Sequence, residues 1–323
     1  MPLAFVSPAG AAPLEYLTGA GEKAASIVSL TWGVIIISIA VIVIIAALLV
    51  GAIWRRPGLA LRPGEKSPLV GDQGGLDWLW GGVGLTSLVL LFSVAWTMVV
   101  LARVEAPKTS PSVTIEITGK QWWWRARYIG PDAARDFVTA DEIHIPAGEA
   151  VRIRLIGGDV IHSFWVPQLA GKMDAIPGQT NETWLEADRP GSYLGQCTEY
   201  CGLQHAHMGL KVIADTPAGF HAWWNHQLQT PSSGGMPGRA LFENHCGGCH
   251  TVRGTEAAGV LGPDLSHLMA RTTLAAATLS NDRASLARWI SDPQHVKPGS
   301  LMPVPELSGA ELIQVQSYLE TLK

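Results

Sequence analysis

Two long runs without a charged side chain dominate the first third of the chain, at residues 24–54 and 78–102. Each run exceeds the roughly 20 apolar residues that an α-helix needs to span a bilayer. A buried helix of a soluble core is the alternative, but such helices seldom stay free of charge over this length. The pattern therefore predicts two transmembrane helices, over about 26–54 and 77–102, in a hairpin that occupies 24–104.

Basic residues around the two runs predict which way the hairpin crosses the membrane. The N-terminal flank offers only Lys23, whereas the connecting loop carries several basic residues. They are Arg55, Arg56, Arg62 and Lys66. Because Lys and Arg accumulate in cytoplasmic loops, we expect this loop to be cytoplasmic. Both termini would then lie on the outer face, together with an N-terminal segment at 1–23 and everything after Arg103.

Short runs with alternating apolar and polar residues follow the second helix. They read SVTIEITG, EIHIPAG, AVRIRLIGG, HSFWVP and GLKVIA, and Gly, Pro and Asp separate them. Alternation with period two between turn residues is typical of β-strands. We therefore predict an antiparallel sandwich or barrel over residues 111–226.

The last part of the chain changes character again. Residues 227–238, QLQTPSSGGMPG, are polar and rich in Gly, Pro and Ser, which is typical of a linker. Helical patterns follow in RALFENHCGGCH, SLARWISD and SGAELIQVQSYLETL, the last with Ser308 and Glu311 in capping-box spacing. Residues 239–323 are therefore predicted to form a small all-α domain.

Composition agrees with this multidomain membrane architecture. The 323 residues exceed what one core usually organises. Hydrophobic residues make up 47% of the chain against 15% charged, which is too apolar for an ordinary soluble protein. The net charge is only -4 and the basic residues are not clustered, so we expect no nucleic-acid partner.

A set of soft metal ligands occupies one loop, GQCTEYCGLQHAHMG. It contains Cys197, Cys201, His205 and Met208, and His162 precedes it in HSFWVP. Thiolate with imidazole suits copper or zinc, and the added thioether favours copper. The spacing of the two cysteines would let both sulfurs bridge two metal ions. A disulfide is the alternative on an oxidising face, but it leaves His205 and Met208 unexplained.

A second motif, Cys246-Gly-Gly-Cys249-His250, lies in the predicted helical domain. In a C-x-x-C-H motif the two thiols can form thioethers to haem vinyl groups, and the adjacent imidazole can bind the iron. A zinc knuckle is the alternative, but it would need two further ligands and this domain has no second cysteine pair. The motif therefore predicts a covalently attached haem c.

These motifs give the chain a family resemblance. The run CTEYCGLQHAHM, KMDAIPGQ at 172–179 and RPGSYLGQC before the cysteines resemble cytochrome c oxidase subunit 2, and the likeness extends from the first apolar helix to about Asp215. The terminal domain resembles a class I cytochrome c through LGPDL, PGSLMP and the closing amphipathic helix.

The resemblance implies a cupredoxin-like barrel with a two-copper (CuA) centre. Cys197 and Cys201 would bridge the coppers, and Glu199 would supply its backbone carbonyl. The implied metal ligands are His162, Cys197, Glu199, Cys201, His205 and Met208. In the family the carboxylate at Glu199 also binds a magnesium ion shared with the catalytic subunit. A solvated loop glutamate is the alternative for that side chain.

The aromatic run at 121–124 has two interpretations. Consecutive large aromatic residues in a strand usually divide between core and surface. Such packing is enough to explain Trp123 and Trp124. In the family, however, an H-Q-W-x-W segment lies over the copper site, and the resemblance implies that Trp122 is the electron-transfer contact. The chain departs from the pattern at Lys120, where histidine is usual.

Two methionines compete for the sixth position of the haem iron. Met269 lies in HLMART, a segment that could be helical, where methionine is more often a flexible core filler. Met302 lies in KPGSLMPVP, whose prolines and glycine exclude a regular helix and favour an extended loop. The resemblance points to the same residue, so we predict that Met302 is the ligand.

The implied function is electron transfer in a proton-pumping cytochrome c oxidase of a bacterial inner membrane. A soluble c-type cytochrome or similar donor would reduce the haem, the haem would reduce the copper pair, and the coppers would reduce the catalytic subunit 1. The predicted helices contain no histidine, so the oxygen-reducing site would lie on another chain. Asp77 stands where the family often has a glutamate near a proton channel, and a solvated carboxylate is the alternative.

Three other classes of protein fit the sequence less well. A quinol oxidase shares the architecture, but its second subunit lacks the copper ligands. Nitrous oxide reductase needs a large histidine-rich catalytic domain. A copper-binding or assembly protein has no need for a covalent haem.

Overall fold

A computed structural model of the chain describes residues 14–54, 74–231 and 237–323. It contains two compact units, one formed by Ser26–Glu105 and the other by the residues up to Ala25 together with Ala106–Lys323. Most of the predicted N-terminal segment, the basic loop between the helices and the centre of the linker lie outside the described residues. The predicted membrane orientation depends on that loop and therefore stays a prediction.

The first unit consists of the two apolar helices, α1 (Glu22–Trp54) and α2 (Gly74–Glu105). Both are long and apolar enough to cross a membrane, and most of their described residues are exposed. Gly33 of α1 lies against the Trp96 ring of α2 and leaves no room for a Cβ there. Two apolar helices were predicted here, and the structure confirms them.

The second unit begins with ten β-strands in two sheets, ordered β3-β2-β1-β5-β8 and β4-β10-β9-β6-β7. The strands are β1 (Val113–Lys120), β2 (Trp123–Ile129), β3 (Phe137–Ala140), β4 (Glu142–Pro146), β5 (Val151–Gly157), β6 (His162–Trp165), β7 (Met173–Ala175), β8 (Thr180–Leu185), β9 (Gly191–Cys197) and β10 (Gly209–Asp215). Most pairs are antiparallel, but β1–β5 and β4–β10 are parallel. Alternation marks a strand without specifying the direction of its partner, so the sequence could not show this.

Alternate residues of each strand build the core between the sheets. Along β2, Trp124, Ala126 and Tyr128 are buried while their neighbours are half-buried, as the two-residue period of a strand requires. Helix α3 (Pro217–Gln227), capped by Thr216, covers one end of this core. The Tyr128 ring packs edge-on against Trp224 of α3, with 5.5 Å between the ring centroids.

The remaining part is mainly helical, with its own core. Its helices are α4 (Pro237–His245), α5 (Arg283–Ser291), α6 (Pro293–Val296) and α7 (Gly309–Leu319), and it also has the short pair β11 (Thr273–Leu274) and β12 (Leu279–Ser280). The predicted capping box of Ser308 and Glu311 is present at the start of α7. Helices α4 and α7 pack through the rings of Phe242 and Tyr318, whose centroids are 5.5 Å apart.

Candidate metal centre and haem motif

Strand pairing brings the separated parts of the candidate copper site together. His162 begins β6 and Cys197 ends β9, and these strands pair with Phe164 opposite Cys197. The loop between β9 and β10 is closed by a hydrogen bond from the Cys197 amide to the Met208 carbonyl oxygen, at 3.0 Å. Gly202 in this loop has φ +117°, a conformation that favours glycine.

The five side chains predicted to bind copper converge on one point. The Cys197 and Cys201 sulfurs lie 3.8 Å apart. His162 Nδ1 lies 4.0 Å from the Cys197 sulfur, and His205 Nδ1 lies 3.6 Å from that of Cys201. Met208 Sδ lies 3.8 Å from the Cys201 sulfur. Two sulfurs with one imidazole beside each form a soft donor set that fits a bridged copper pair.

The backbone of Glu199 also faces this cluster. Its carbonyl oxygen lies 3.4 Å from the Cys197 sulfur, which is where a carbonyl ligand would be expected. The Glu199 residue itself is half-buried. The structure therefore brings all six predicted residues to one place.

Local electrostatics prepare the cluster to bind a cation. The Cys201 thiol hydrogen-bonds to Cys197 and lowers the pKa of Cys197 to about 3, although burial acts in the opposite direction. The same contact raises the pKa of Cys201, so the pair readily holds one thiolate. His162 Nε2 lies 2.8 Å from Asp159 Oδ1, which fixes the ring so that Nδ1 faces Cys197.

Trp122 lies directly on the candidate copper loop. It is 8% exposed, and its indole Nε1 donates a hydrogen bond to the Cys201 carbonyl oxygen at 3.0 Å. The Gln121 side chain donates to the same oxygen at 2.6 Å. The Trp122 backbone carbonyl accepts a hydrogen bond from Lys297 Nζ at 2.7 Å, so Trp122 contacts both the barrel loop and the helical part.

The C-x-x-C-H motif occupies the turn after α4. The Cys246 and Cys249 thiols are free. His250 Nδ1 lies 2.8 Å from the Pro263 carbonyl oxygen, which leaves Nε2 to bind an iron. Burial lowers the pKa of His250, so the neutral imidazole is favoured. Gly262 lies so close to this ring that a Cβ would come 2.5 Å from Cε1.

The two competing methionines lie in different surroundings. Met302 is in a segment without regular secondary structure before α7, and its carbonyl oxygen accepts a hydrogen bond from Gln294 Nε2 at 2.8 Å. Met269 is in a single 3₁₀ turn, Leu268–Ala270, and packs against the helical core. These surroundings fit the predicted roles, which stay predictions.

Sequence reasoning missed several charged residues that are partly or fully buried. His144 was given no role, yet it is enclosed between Asp215, 2.7 Å from Nδ1, and Glu142, 3.7 Å from Nε2. Burial lowers the pKa of His144, but its hydrogen bonds with these two carboxylates raise it overall. Lys297 also received no role and is only 3% exposed. A single charge in a loop gives no sequence signal of burial.

A β-barrel with a soft-metal cluster, packed in one unit with a C-x-x-C-H helical domain, defines an electron-transfer protein. The family model for the periplasmic domain of cytochrome c oxidase subunit II matches residues 129–215, and the cytochrome c model matches residues 236–323. Cytochrome c oxidase subunit 2 of Alkalihalophilus pseudofirmus is 36% identical over 278 residues, covering 83% of this chain and 78% of that protein.

Two further proteins are similar to this chain. Cytochrome c oxidase subunit 2 of Bacillus subtilis is 30% identical over 261 residues, covering 73% of this chain and 72% of that protein. The periplasmic domain of subunit II of cytochrome oxidase of Bradyrhizobium japonicum is 34% identical with a TM-score of 0.34, covering 37% of this chain and 95% of that domain. The chain belongs to the cytochrome c oxidase subunit 2 family.

Membership in this family makes the chain a subunit of an oxidoreductase, with a role in electron transfer inside the oxidase. It acts together with subunit 1 and other subunits of that oxidase. The two matched domains point to copper and haem c. The apolar helices and the family indicate a membrane protein with a periplasmic domain.

Proposed function

We propose that this chain is the subunit at which electrons enter a proton-pumping cytochrome c oxidase. Electrons from a soluble c-type cytochrome would reach a covalent haem c, continue to a two-copper centre, and leave for the haem of the catalytic subunit. The observation that carries the proposal is the pair of thiols 3.8 Å apart, each beside an imidazole, in the same compact unit as the C-x-x-C-H motif.

Residues from both ends of the helical domain would bind the haem. Cys246 and Cys249 form the thioethers, and His250 binds the iron through the nitrogen that Pro263 leaves free. Met302 would supply a second protein ligand to the iron. A haem with histidine and methionine ligands cycles between ferrous and ferric states at a raised potential, which suits an acceptor of electrons.

The barrel holds the second centre. Cys197 and Cys201 would hold the coppers, together with His162, His205, Met208 and the carbonyl of Glu199. A bridged pair supplies one-electron chemistry with little rearrangement of its ligands. We also propose, from the family resemblance, that the Glu199 carboxylate binds a magnesium ion shared with the catalytic subunit.

The membrane arrangement completes the proposal. Helices α1 and α2 cross the lipid bilayer of a bacterial inner membrane, and both termini lie on the periplasmic side. The barrel and the haem domain then face the compartment in which a soluble electron donor moves. Oxygen reduction takes place on the partner chain.

Metal analysis with optical spectroscopy tests the proposed function. The purified full-length chain should contain one c-type haem and two coppers, and it should show a c-type band together with the absorption of a thiolate-bridged copper pair. A chain that binds zinc, or binds no metal at the cysteine pair, would contradict the proposal. A chain that binds two coppers but no covalent haem would contradict only the part of the proposal that concerns the haem.

The contacts of Trp122 lead to a prediction for transfer between the centres. In Trp122→Ala we expect haem-to-copper transfer to slow by roughly tenfold, ~1.4 kcal/mol in activation free energy, because the indole bonded to the Cys201 carbonyl is lost. Both spectra should be unchanged. Stopped-flow reduction measures the rate, and Trp123→Ala is the control. An unchanged rate in Trp122→Ala would leave Trp122 as a packing residue.

A further inference from the structure

A buried lysine joins the haem domain to the barrel. Lys297 follows α6 and is 3% exposed. Its Nζ donates hydrogen bonds to the Trp122 carbonyl oxygen at 2.7 Å and to the Ala275 carbonyl oxygen at 3.0 Å. The first bond crosses from the haem domain to the barrel, and the second stays inside the haem domain. Lys297 therefore connects Trp122, which contacts the candidate copper loop, to the turn of the haem domain that contains Ala275.

Asp141 provides the opposite charge on the barrel side. It lies between β3 and β4 with φ +62°, and its carboxylate accepts a hydrogen bond from the Trp124 amide at 2.8 Å. Burial lowers the pKa of Lys297 to about 8, and the attraction of Asp141 opposes that decrease. Burial likewise raises the pKa of Asp141 to about 6. The two charges attract each other, and hydrogen bonds with other groups also help to satisfy each of them.

The loop that starts at Lys297 is the one that carries Met302, and it is held rigidly. Gln294 accepts a hydrogen bond from the Gly299 amide at 2.9 Å and donates one to the Met302 carbonyl oxygen at 2.8 Å. Gln204, in the candidate copper loop, donates to the Pro298 carbonyl oxygen at 2.8 Å. The two loops that carry the proposed ligands are thus in direct contact.

A turn of the haem domain fits against the same region of the barrel. Three consecutive residues of this turn, Ala275, Ala276 and Ala277, have positive φ between 53° and 58°. Residues other than glycine rarely adopt this backbone conformation. The Ala276 carbonyl oxygen accepts a hydrogen bond from the Gly209 amide at 3.1 Å, next to Met208. A rarely adopted backbone conformation is kept when surrounding contacts hold it in place. One such contact is the hydrogen bond from Lys297 Nζ to the carbonyl oxygen of Ala275, the first residue of the turn.

We propose that Lys297 is a positioning residue for electron transfer, which fixes the Met302 loop against Trp122 and so sets the separation between haem and copper centres. The inference rests on the proposed function. Lys297 binds neither centre and touches no proposed ligand; it acts through the Trp122 backbone. The alternative is that Lys297 only stabilises the haem domain, through its hydrogen bond to Ala275. In that case the Met302 loop and the candidate copper loop would stay together without Lys297.

Replacement of Lys297 by methionine tests this role, because methionine keeps much of the volume and removes every donor. Lys211→Met is the matched control, since Lys211 Nζ also crosses to the haem domain, donating to Thr272 Oγ1 at 2.7 Å, but at an exposed position. The full-length oxidase is photoreduced at its haem c with a ruthenium tris-bipyridyl dye, and the copper absorption then reports the transfer. Amide hydrogen exchange is measured for segments 201–209 and 297–303, with and without copper.

In Lys297→Met the transfer rate should fall about tenfold, ~1.4 kcal/mol, with both spectra unchanged, and both segments should exchange faster than in wild type. Lys211→Met should match wild type in each measurement. Unchanged transfer or unchanged exchange in Lys297→Met would overturn the positioning role and leave the proposed function intact. Absence of haem-to-copper transfer in wild type would instead overturn the proposed function, and the exchange data would still decide whether Lys297 holds the loops.

A second variant covers the case in which Lys297→Met fails to fold. Asp141→Asn keeps an acceptor for the Trp124 amide but removes the charge opposite Lys297. We expect slower electron transfer and faster amide exchange than in wild type. Both changes should be smaller than in Lys297→Met, because the lysine donors remain. Wild-type behaviour of Asp141→Asn in both measurements would overturn the proposal.

Discussion

Cys201→Ser protein should lose the electron paramagnetic resonance signal of a delocalised copper pair and keep its covalent haem. The Cys201 sulfur lies at the centre of the cluster, within 4 Å of atoms of Cys197, His205 and Met208. A serine hydroxyl is a harder and far less acidic donor that cannot replace a bridging thiolate between two coppers. Copper content should fall below two per chain, and the multi-line spectrum should disappear.

Cys249→Ser is the reciprocal control for this experiment. It removes one thiol of the haem motif, far from the copper cluster in sequence, so the copper spectrum should persist while haem attachment weakens. Cys197→Ser should behave like Cys201→Ser. A multi-line spectrum that survives in Cys201→Ser would show that the assignment of the bridging ligands is wrong.

Met302→Ala should lose the weak far-red absorption that marks sulfur bound to ferric haem, and its reduction potential should fall. Thioether ligation favours the ferrous state, and axial ligands as a class shift haem potentials over a range of ~0.8 V. The backbone around Met302 is held by Gln294, so an alanine there should remove the thioether and leave the loop in place.

Met269→Leu is the control for the axial ligand. Met269 packs against the core of the haem domain, and its amide donates a hydrogen bond to the Leu322 carbonyl oxygen at 2.8 Å. Leucine keeps the apolar volume, so both the far-red band and the potential should remain. Redox titration with absorption spectroscopy measures both properties. If Met269→Leu loses the band and Met302→Ala keeps it, the two assignments must be exchanged.

Local sequence was enough to predict most of the candidate copper site. Cys197, Cys201, His205 and Met208 lie within one loop, so their proximity follows from chain connectivity alone. His162 lies far upstream, so its place in the soft donor set could be predicted only from its residue type and the family resemblance, not from proximity along the chain. The structure supplies the physical reason, since strand β6 pairs with β9 and carries His162 to the cysteines. The absence of a regular helix around Met302 was likewise predictable, because proline and glycine act locally.

Contacts between the two redox domains could not be predicted in this way. Lys297 and Trp122 are 175 residues apart, and their hydrogen bond depends on how two separately built cores pack. No periodic pattern or spacing reports such packing. The same limit applies to the burial of His144 and to the parallel pairing of β1 with β5. Sequence patterns describe elements and local ligand sets, whereas long-range packing decides which charges become buried.

The barrel and the haem domain pack into one compact unit, and Lys297, which joins them, is buried at their contact. Dissolved ions screen exposed charges over about 8 Å at physiological ionic strength but have much less effect on buried pairs. In the proposed pathway, the encounter with a mobile donor at the exposed surface would therefore be the salt-sensitive step. The step between the two proposed centres, across the contact that Lys297 bridges, would depend little on ionic strength.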